Sequence, residues 1–196
     1  MISRLAAKLA AYFTAKGTIR EEDSQACGYG FELLIATAIN CAFICIGAII
    51  MGIFPHTLLY LVGLIPLRFT AGGYHAKHHW SFILISCIAY TITAFPLRYI
   101  PIDMCVLYNL TCCIFVSMAV FMLSPVEAVN KPLSAKKRES VRNWSIGIVS
   151  FGLFICLIPV FIELQVLAVY LTYYVTGATL AGISLIVVQK NGKVPQ

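Results

Sequence analysis

With 196 residues, 60% of them hydrophobic and only 11% charged, the chain lies far from the roughly 25% charged composition of soluble globular domains. Its mean hydropathy of +0.89 places it in the membrane class. The net charge of +6 is not a nucleic-acid footprint, because the Lys and Arg residues gather at segment ends rather than in a surface stripe. The partner implied is a lipid bilayer, and no nucleic acid is expected.

Residues 1–20 read as an amphipathic helix. Ile2, Leu5, Leu9, Tyr12 and Phe13 recur at helical spacing, while Arg4, Lys8 and Lys16 fall on another face. Such a helix lies flat in the interface, attracted to anionic lipid. Gly17 ends it, and Glu21-Glu22-Asp23 forms a short acidic linker. The first 20 residues lack the uninterrupted apolar core of a cleavable signal peptide.

Residues 33–54 are long enough to cross a hydrocarbon core about 30 Å thick. Pro55 and His56 then mark a turn. The next apolar run, 57–67, is short and contains Pro66, so it either tilts or thins the bilayer locally. Residues 80–97 return across and stop at Pro96, Arg98 and Pro101, and residues 104–123 cross again. A basic loop follows with Lys131, Lys136, Lys137, Arg138 and Arg142. Residues 144–162 and 166–188 form a last pair before Lys190 and Lys193.

The expected fold is therefore an all-α integral membrane protein with six transmembrane helices and an N-terminal amphipathic interfacial helix. It is expected as one polytopic domain over 1–196, with the interfacial helix at 1–20, the six-span bundle at 31–188 and a tail at 189–196. With the N-terminus inside, residues 1–30, 68–80, 125–143 and 189–196 are cytoplasmic. They hold every Lys and Arg except Arg98, the bias that sets orientation in a cell membrane. Both termini and the stretch at 68–80 then face the cytoplasm. The two halves show no clear repeat, which gives an inverted-repeat transporter no support. Asn40, Asn109 and Thr176 within spans, and the small residues Gly177, Ala178, Ala181 and Gly182, can join helices within one chain or across a homodimer.

Seven of the cysteines, Cys41, Cys45, Cys87, Cys105, Cys112, Cys113 and Cys156, fall inside apolar runs. There cysteine behaves as a small hydrophobe. No CxxC pair or regular spacing points to zinc or a redox couple.

One polar stretch interrupts the apolar chain: residues 68–81, with Arg68, Gly72, Gly73, Tyr74, three of the four histidines (His75, His78 and His79), Lys77, Trp80 and Ser81. Polar groups kept at the edge of lipid mark a site. The plainer alternative is an interfacial loop in which Arg68 and Lys77 snorkel while Tyr74 and Trp80 anchor at headgroup depth. A metal could use His75, His78 and His79, two of which share a face on a helix. Yet Asp and Glu are absent from residue 33 to residue 102, which leaves a metal hydrolase without a carboxylate base, so neither metal nor cofactor is expected. Nucleophilic catalysis needs a histidine beside a serine or cysteine, and Ser81 and Cys87 are the local candidates. Gly72 and Gly73 let backbone approach a bound peptide closely, and their N–H groups can serve an oxyanion. A docking loop without chemistry is the third possibility.

Arg68-x-x-x-Gly72-Gly73-x-His75-Ala76 resembles the signature of the accessory gene regulator B family, integral-membrane cysteine endopeptidases that mature quorum-sensing peptides. Further matches are Tyr29-Gly30-x-Glu32, Ser124-Pro125-Val126-Glu127 and Asn130-Lys131-Pro132-Leu133. The resemblance implies that His75 deprotonates a cysteine, whose thiolate cleaves a small amphipathic propeptide and holds it as a thioester. A cysteine of the propeptide then closes a thiolactone ring. Arg68 and Lys77 would bind an acidic propeptide segment, with Gly72 and Gly73 lining the substrate.

The departure from the family lies at the nucleophile. The family's cysteine follows the histidine by seven residues, where this chain has Phe82. Ser81-Phe82 resembles the family's Cys-aromatic pair if the loop is one residue shorter, which makes the chain a Cys→Ser form. Cys87, twelve residues after His75, is the alternative nucleophile, although a straight helix would put it about 18 Å away. A pseudo-peptidase, or a non-catalytic membrane binding or export protein for such a peptide, is the rival from another class.

Overall fold

The computed structural model describes residues 2–71, 79–126, 135–162 and 164–191. These residues form seven α-helices and two short 3-10 helices, with no strand among them: α1 (Ile2–Ala15), α2 (Ser24–Ile50), α3 (Phe54–Ala71), α4 (His79–Ala94), α5 (Ile102–Leu123), α6 (Ala135–Ile162) and α7 (Gln165–Asn191). Among the described residues five stretches are long and apolar enough to cross a membrane: Gly30–Ile50, Trp80–Tyr99, Ile102–Leu123, Lys136–Ile162 and Gln165–Gln189. The chain is a multi-pass helical membrane protein. The sixth expected span corresponds to α3, whose 18 residues extend about 27 Å but include Pro66 and Arg68, and it does not reach the apolarity of the other five.

The chain divides into two compact units, Met1–Ile50 with Ala76–Ile88 and Met51–His75 with Ala89–Gln196. In the first, α1 packs on α2 through small residues. Ala6 and Ala10 are buried, and Ala10 Cβ faces Gly28. Phe13 stacks on Phe31 with centroids 5.7 Å apart, and Ser3 Oγ donates to Glu32 Oε1 at 2.6 Å. The apolar set expected to face lipid is thus shared: Ile2, Leu9 and Phe13 are half-buried, while Leu5 and Tyr12 stay exposed. Gly17, at φ +70°, ends the helix, its N–H bonded to Thr14 C=O at 2.9 Å and that of Thr18 to Phe13 C=O at 3.0 Å. This left-handed stop is the one glycine adopts without steric cost.

α2 starts at Ser24 and ends at Ile50, and the chain reverses at Gly52 (φ +70°). The expected turn at Pro55 and His56 is instead the first turn of α3, where proline's missing N–H leaves no bond unmade. The basic residues Lys136, Lys137, Arg138 and Arg142, expected in a loop, ride on the first turns of α6. Nothing between Ala135 and Trp144 breaks a helix, and Lys, Arg and Glu propagate one well.

In the second unit α7 is central. Of its membrane stretch 56% is buried, against 22–28% in the other four. It packs on α3 and α5, and α6 packs on α5 and α3. Ala178 and Ala181 are buried, Gly177 meets the backbone of α3, and Gly182 faces Ala119 and Val116 of α5. The small-residue face of α7 is therefore used within the chain. So are two of the polar residues in spans. Asn109 Nδ2 donates to Ala168 C=O at 2.9 Å, and the hydroxyls of Tyr108 and Thr176 lie 2.9 Å apart. In apolar surroundings such groups must pair with one another.

Candidate active site

The candidate site is built from helix ends. Arg68 sits in the last turn of α3, one residue beyond the apolar stretch 57–67, and is half-buried. Burial pushes its guanidinium down to about 10, which still leaves a full positive charge at neutral pH. α3 closes at Ala71, whose carbonyl accepts the Val126 N–H at 3.0 Å. That bond brings the segment after α5 onto the end of α3, immediately before Gly72.

The same segment is fixed from its other side. Ser124 caps α5 by donating its N–H to Val120 C=O at 3.0 Å. Ser124 and Pro125 are both buried, and the Ser124 Oγ has no hydrogen-bond partner among the described residues. The end of α3 at Ala71 and the Ser124-Pro125-Val126 motif, far apart in sequence, therefore meet within the second unit. No pattern in the sequence announces the Ala71–Val126 bond, a single backbone pairing between a helix end and a segment far along the chain.

In the first unit Ser81 lies in the first turn of α4 and is exposed, as is Trp80. Cys87 is half-buried six residues further along the same helix, about 9 Å along the axis and about a third of a turn round it. Ser81 and Cys87 thus occupy distinct positions. Glu32, the acidic residue of the Tyr29-Gly30-x-Glu32 motif, is half-buried on α2 and accepts the Ser3 hydroxyl described above.

His75, Gly72, Gly73 and Lys77 lie outside the described residues, as do His78 and the stretch carrying Asn130-Lys131-Pro132-Leu133. His79 opens α4. Among the described residues no group of three His, Cys, Asp or Glu side chains is placed to hold a metal ion.

No curated protein sequence and no solved structure matches the chain. It does match the accessory gene regulator B family over residues 5–189, a range that takes in α2 to α6 whole and all but the outermost residues of α1 and α7. The amphipathic entry helix, the membrane bundle and the meeting of α3 with the Ser124-Pro125 segment all fall within that match. The chain belongs to the accessory gene regulator B family, membrane proteins of autoinducing-peptide processing.

Proposed function

We propose that the protein is a membrane endopeptidase that cleaves a small amphipathic signal propeptide at the cytoplasmic face, through an acyl-enzyme, and promotes closure of a thiolactone ring. His75 is the general base, and Ser81 stands at the nucleophile position. Arg68 and Lys77 hold an acidic segment of the propeptide. Gly72 and Gly73 present N–H groups to the developing oxyanion. The observation that supports this reading best is the exposed hydroxyl of Ser81 at the start of α4, six residues after His75. Cys87 lies six residues further along the same helix and is half-buried.

The chemistry follows in order. The imidazole takes the nucleophile's proton as the nucleophile attacks the scissile carbonyl. The C–N bond breaks, and the leaving amine of the C-terminal tail receives that proton from the imidazolium. The propeptide's own thiol then attacks the acyl group, frees the enzyme and closes the ring.

The test is the Ser81→Cys variant, incubated with a synthetic propeptide and trapped in acid. A hydroxylamine-labile adduct with the mass of the N-terminal fragment supports the peptidase. Retention of the intact propeptide without any adduct favours a second reading, a non-catalytic binding or export protein. The serine itself motivates that alternative, because a hydroxyl is far less acidic than a thiol.

A further inference from the structure

We propose that the polar end of α6 carries a binding site for an aminophospholipid, a lipid whose headgroup joins a phosphate to a primary ammonium. Lys136, Glu139, Ser140, Asn143 and Trp144 line one groove of about 500 Å³. They recur at steps of three and four residues, so they share one face of the helix. All five are exposed, which leaves the groove open to a molecule diffusing in the bilayer.

The groove lies at headgroup depth. The apolar run of α6 covers 144–162, and Trp144, 67% exposed, stands at its first residue. An indole there sits at the boundary between lipid and water. At 1.5 Å per residue, Asn143, Ser140 and Glu139 follow about 1.5, 6 and 7.5 Å beyond it. The headgroup layer on each side of a bilayer is about 5–8 Å deep. An amide and a hydroxyl that can donate thus come first, and a carboxylate last. A lipid presents its groups in the same order on the way out from the acyl chains, the phosphate before the terminal ammonium.

The charges match as well. Glu139 is the one acidic residue between Ala128 and Ile162, set among Lys131, Lys136, Lys137, Arg138 and Arg142. A segment built only to attract anionic lipid gains nothing from a carboxylate. Neither Glu139 nor Lys136 makes an ion pair among the described residues, so the groove presents one charge of each sign and no net charge, the balance of a zwitterion. The Glu139 carboxylate accepts N–H bonds from the ammonium, while Ser140 Oγ and Asn143 Nδ2 donate to phosphate oxygens. A choline headgroup has no N–H to give the carboxylate, and a glycerol headgroup has no cation.

The test uses the full chain in detergent micelles, titrated with lipids of one acyl composition and read by native mass spectrometry. Phosphatidylethanolamine should bind on the order of tenfold more tightly than phosphatidylcholine, the worth of one hydrogen bond to a charged group. Stepwise N-methylation of the headgroup should weaken binding as N–H donors are lost. Glu139→Gln, which keeps a good helix former, should abolish the preference, and Arg142→Gln, off the groove, should leave it intact. Unchanged unfolding midpoints check that both variants are folded. Equal binding of the two lipids by the unaltered chain, a preference that survives Glu139→Gln or vanishes in Arg142→Gln, or tighter binding of phosphatidylglycerol than of phosphatidylethanolamine overturns the proposal.

Discussion

Gly63 of α3 and Gly177 of α7 occupy reciprocal positions at one helix crossing. A Cβ built on Gly63 would run into the Tyr174 carbonyl oxygen, and one built on Gly177 would run into the Tyr60 carbonyl oxygen. Both obstacles are backbone, which cannot swing aside as a side chain can. In a bilayer, where apolar surface gains little by leaving lipid, close backbone approach at small residues is a principal source of helix association.

Gly63→Ala and Gly177→Ala should each destabilise the bundle by about 1–3 kcal/mol, the usual cost of overpacking. The double variant should cost less than the sum, because helices already pushed apart by one methyl accommodate the second. Thermal unfolding in detergent measures both effects. Gly47→Ala, at a position with open space, serves as the control and should leave the midpoint nearly unchanged.

Asn109 should contribute through its bond to Ala168 C=O. Asn109→Ala is expected to lose about 1 kcal/mol, in line with hydrogen bonds between membrane helices. Unfolding followed by tyrosine fluorescence would show a smaller midpoint shift than the glycine variants give. An equal or larger shift would mean that the crossing at Gly63 is not the stronger joint.

The attachment of α1 should depend more on ring stacking than on the Ser3–Glu32 bond. That bond is exposed and competes with water, whereas an aromatic pair adds about 0.5–1.5 kcal/mol beyond its buried area. Phe13→Ala should therefore speed hydrogen exchange throughout α1, and Ser3→Ala should change it little.

His56 stacks on Tyr170 at 4.9 Å and lies 4.7 Å from Tyr173, with its Nδ1 buried and without a hydrogen-bond partner among the described residues. Burial lowers its pKa from the ordinary 6.5. Above pH 6.5 both folded and unfolded chains carry a neutral imidazole. Below it the unfolded chain takes up a proton that the packed ring resists, so stability is full above 6.5 and declines as the pH falls. Midpoints measured between pH 7.5 and 5.5 should fall for the unaltered chain and fall less for His56→Gln.

Ser81 carries a chemical consequence of its own. An oxygen ester has a lower acyl-transfer potential than a thioester, so ring closure from an acyl-Ser81 intermediate should be slower than from the thioester that the Ser81→Cys variant forms. Mass spectrometry of the released peptide over time should show faster ring closure for Ser81→Cys than for the unaltered chain. Cys87→Ser should alter neither outcome, and a loss of processing there would move the nucleophile to Cys87.

What the sequence disclosed, and what it hid, follows from the range of the forces involved. Apolar runs and the stop at Gly17 are local and were legible. The early start of α6 was not, because Lys136, Lys137, Arg138 and Arg142 read equally well as loop or as helix end. Hydropathy gave no hint that Cys113 and Cys156 share one core cluster with Leu171 and Val175, since the rotation of each helix about its axis decides which side chains meet. Nor did it foretell Val126 on Ala71. Arg68, Gly72 and His75 stood out in the sequence because polar residues amid lipid-soluble ones are conspicuous, yet a residue that closes the end of α3, Val126, comes from elsewhere in the chain.

The hydrogen bond from Val126 to Ala71 closes the last residue of α3 with an amide that lies fifty-five positions further along the chain. A helix terminus left to itself frays, so the exit of α5 doubles as the clasp of α3: loosening one end should loosen the other.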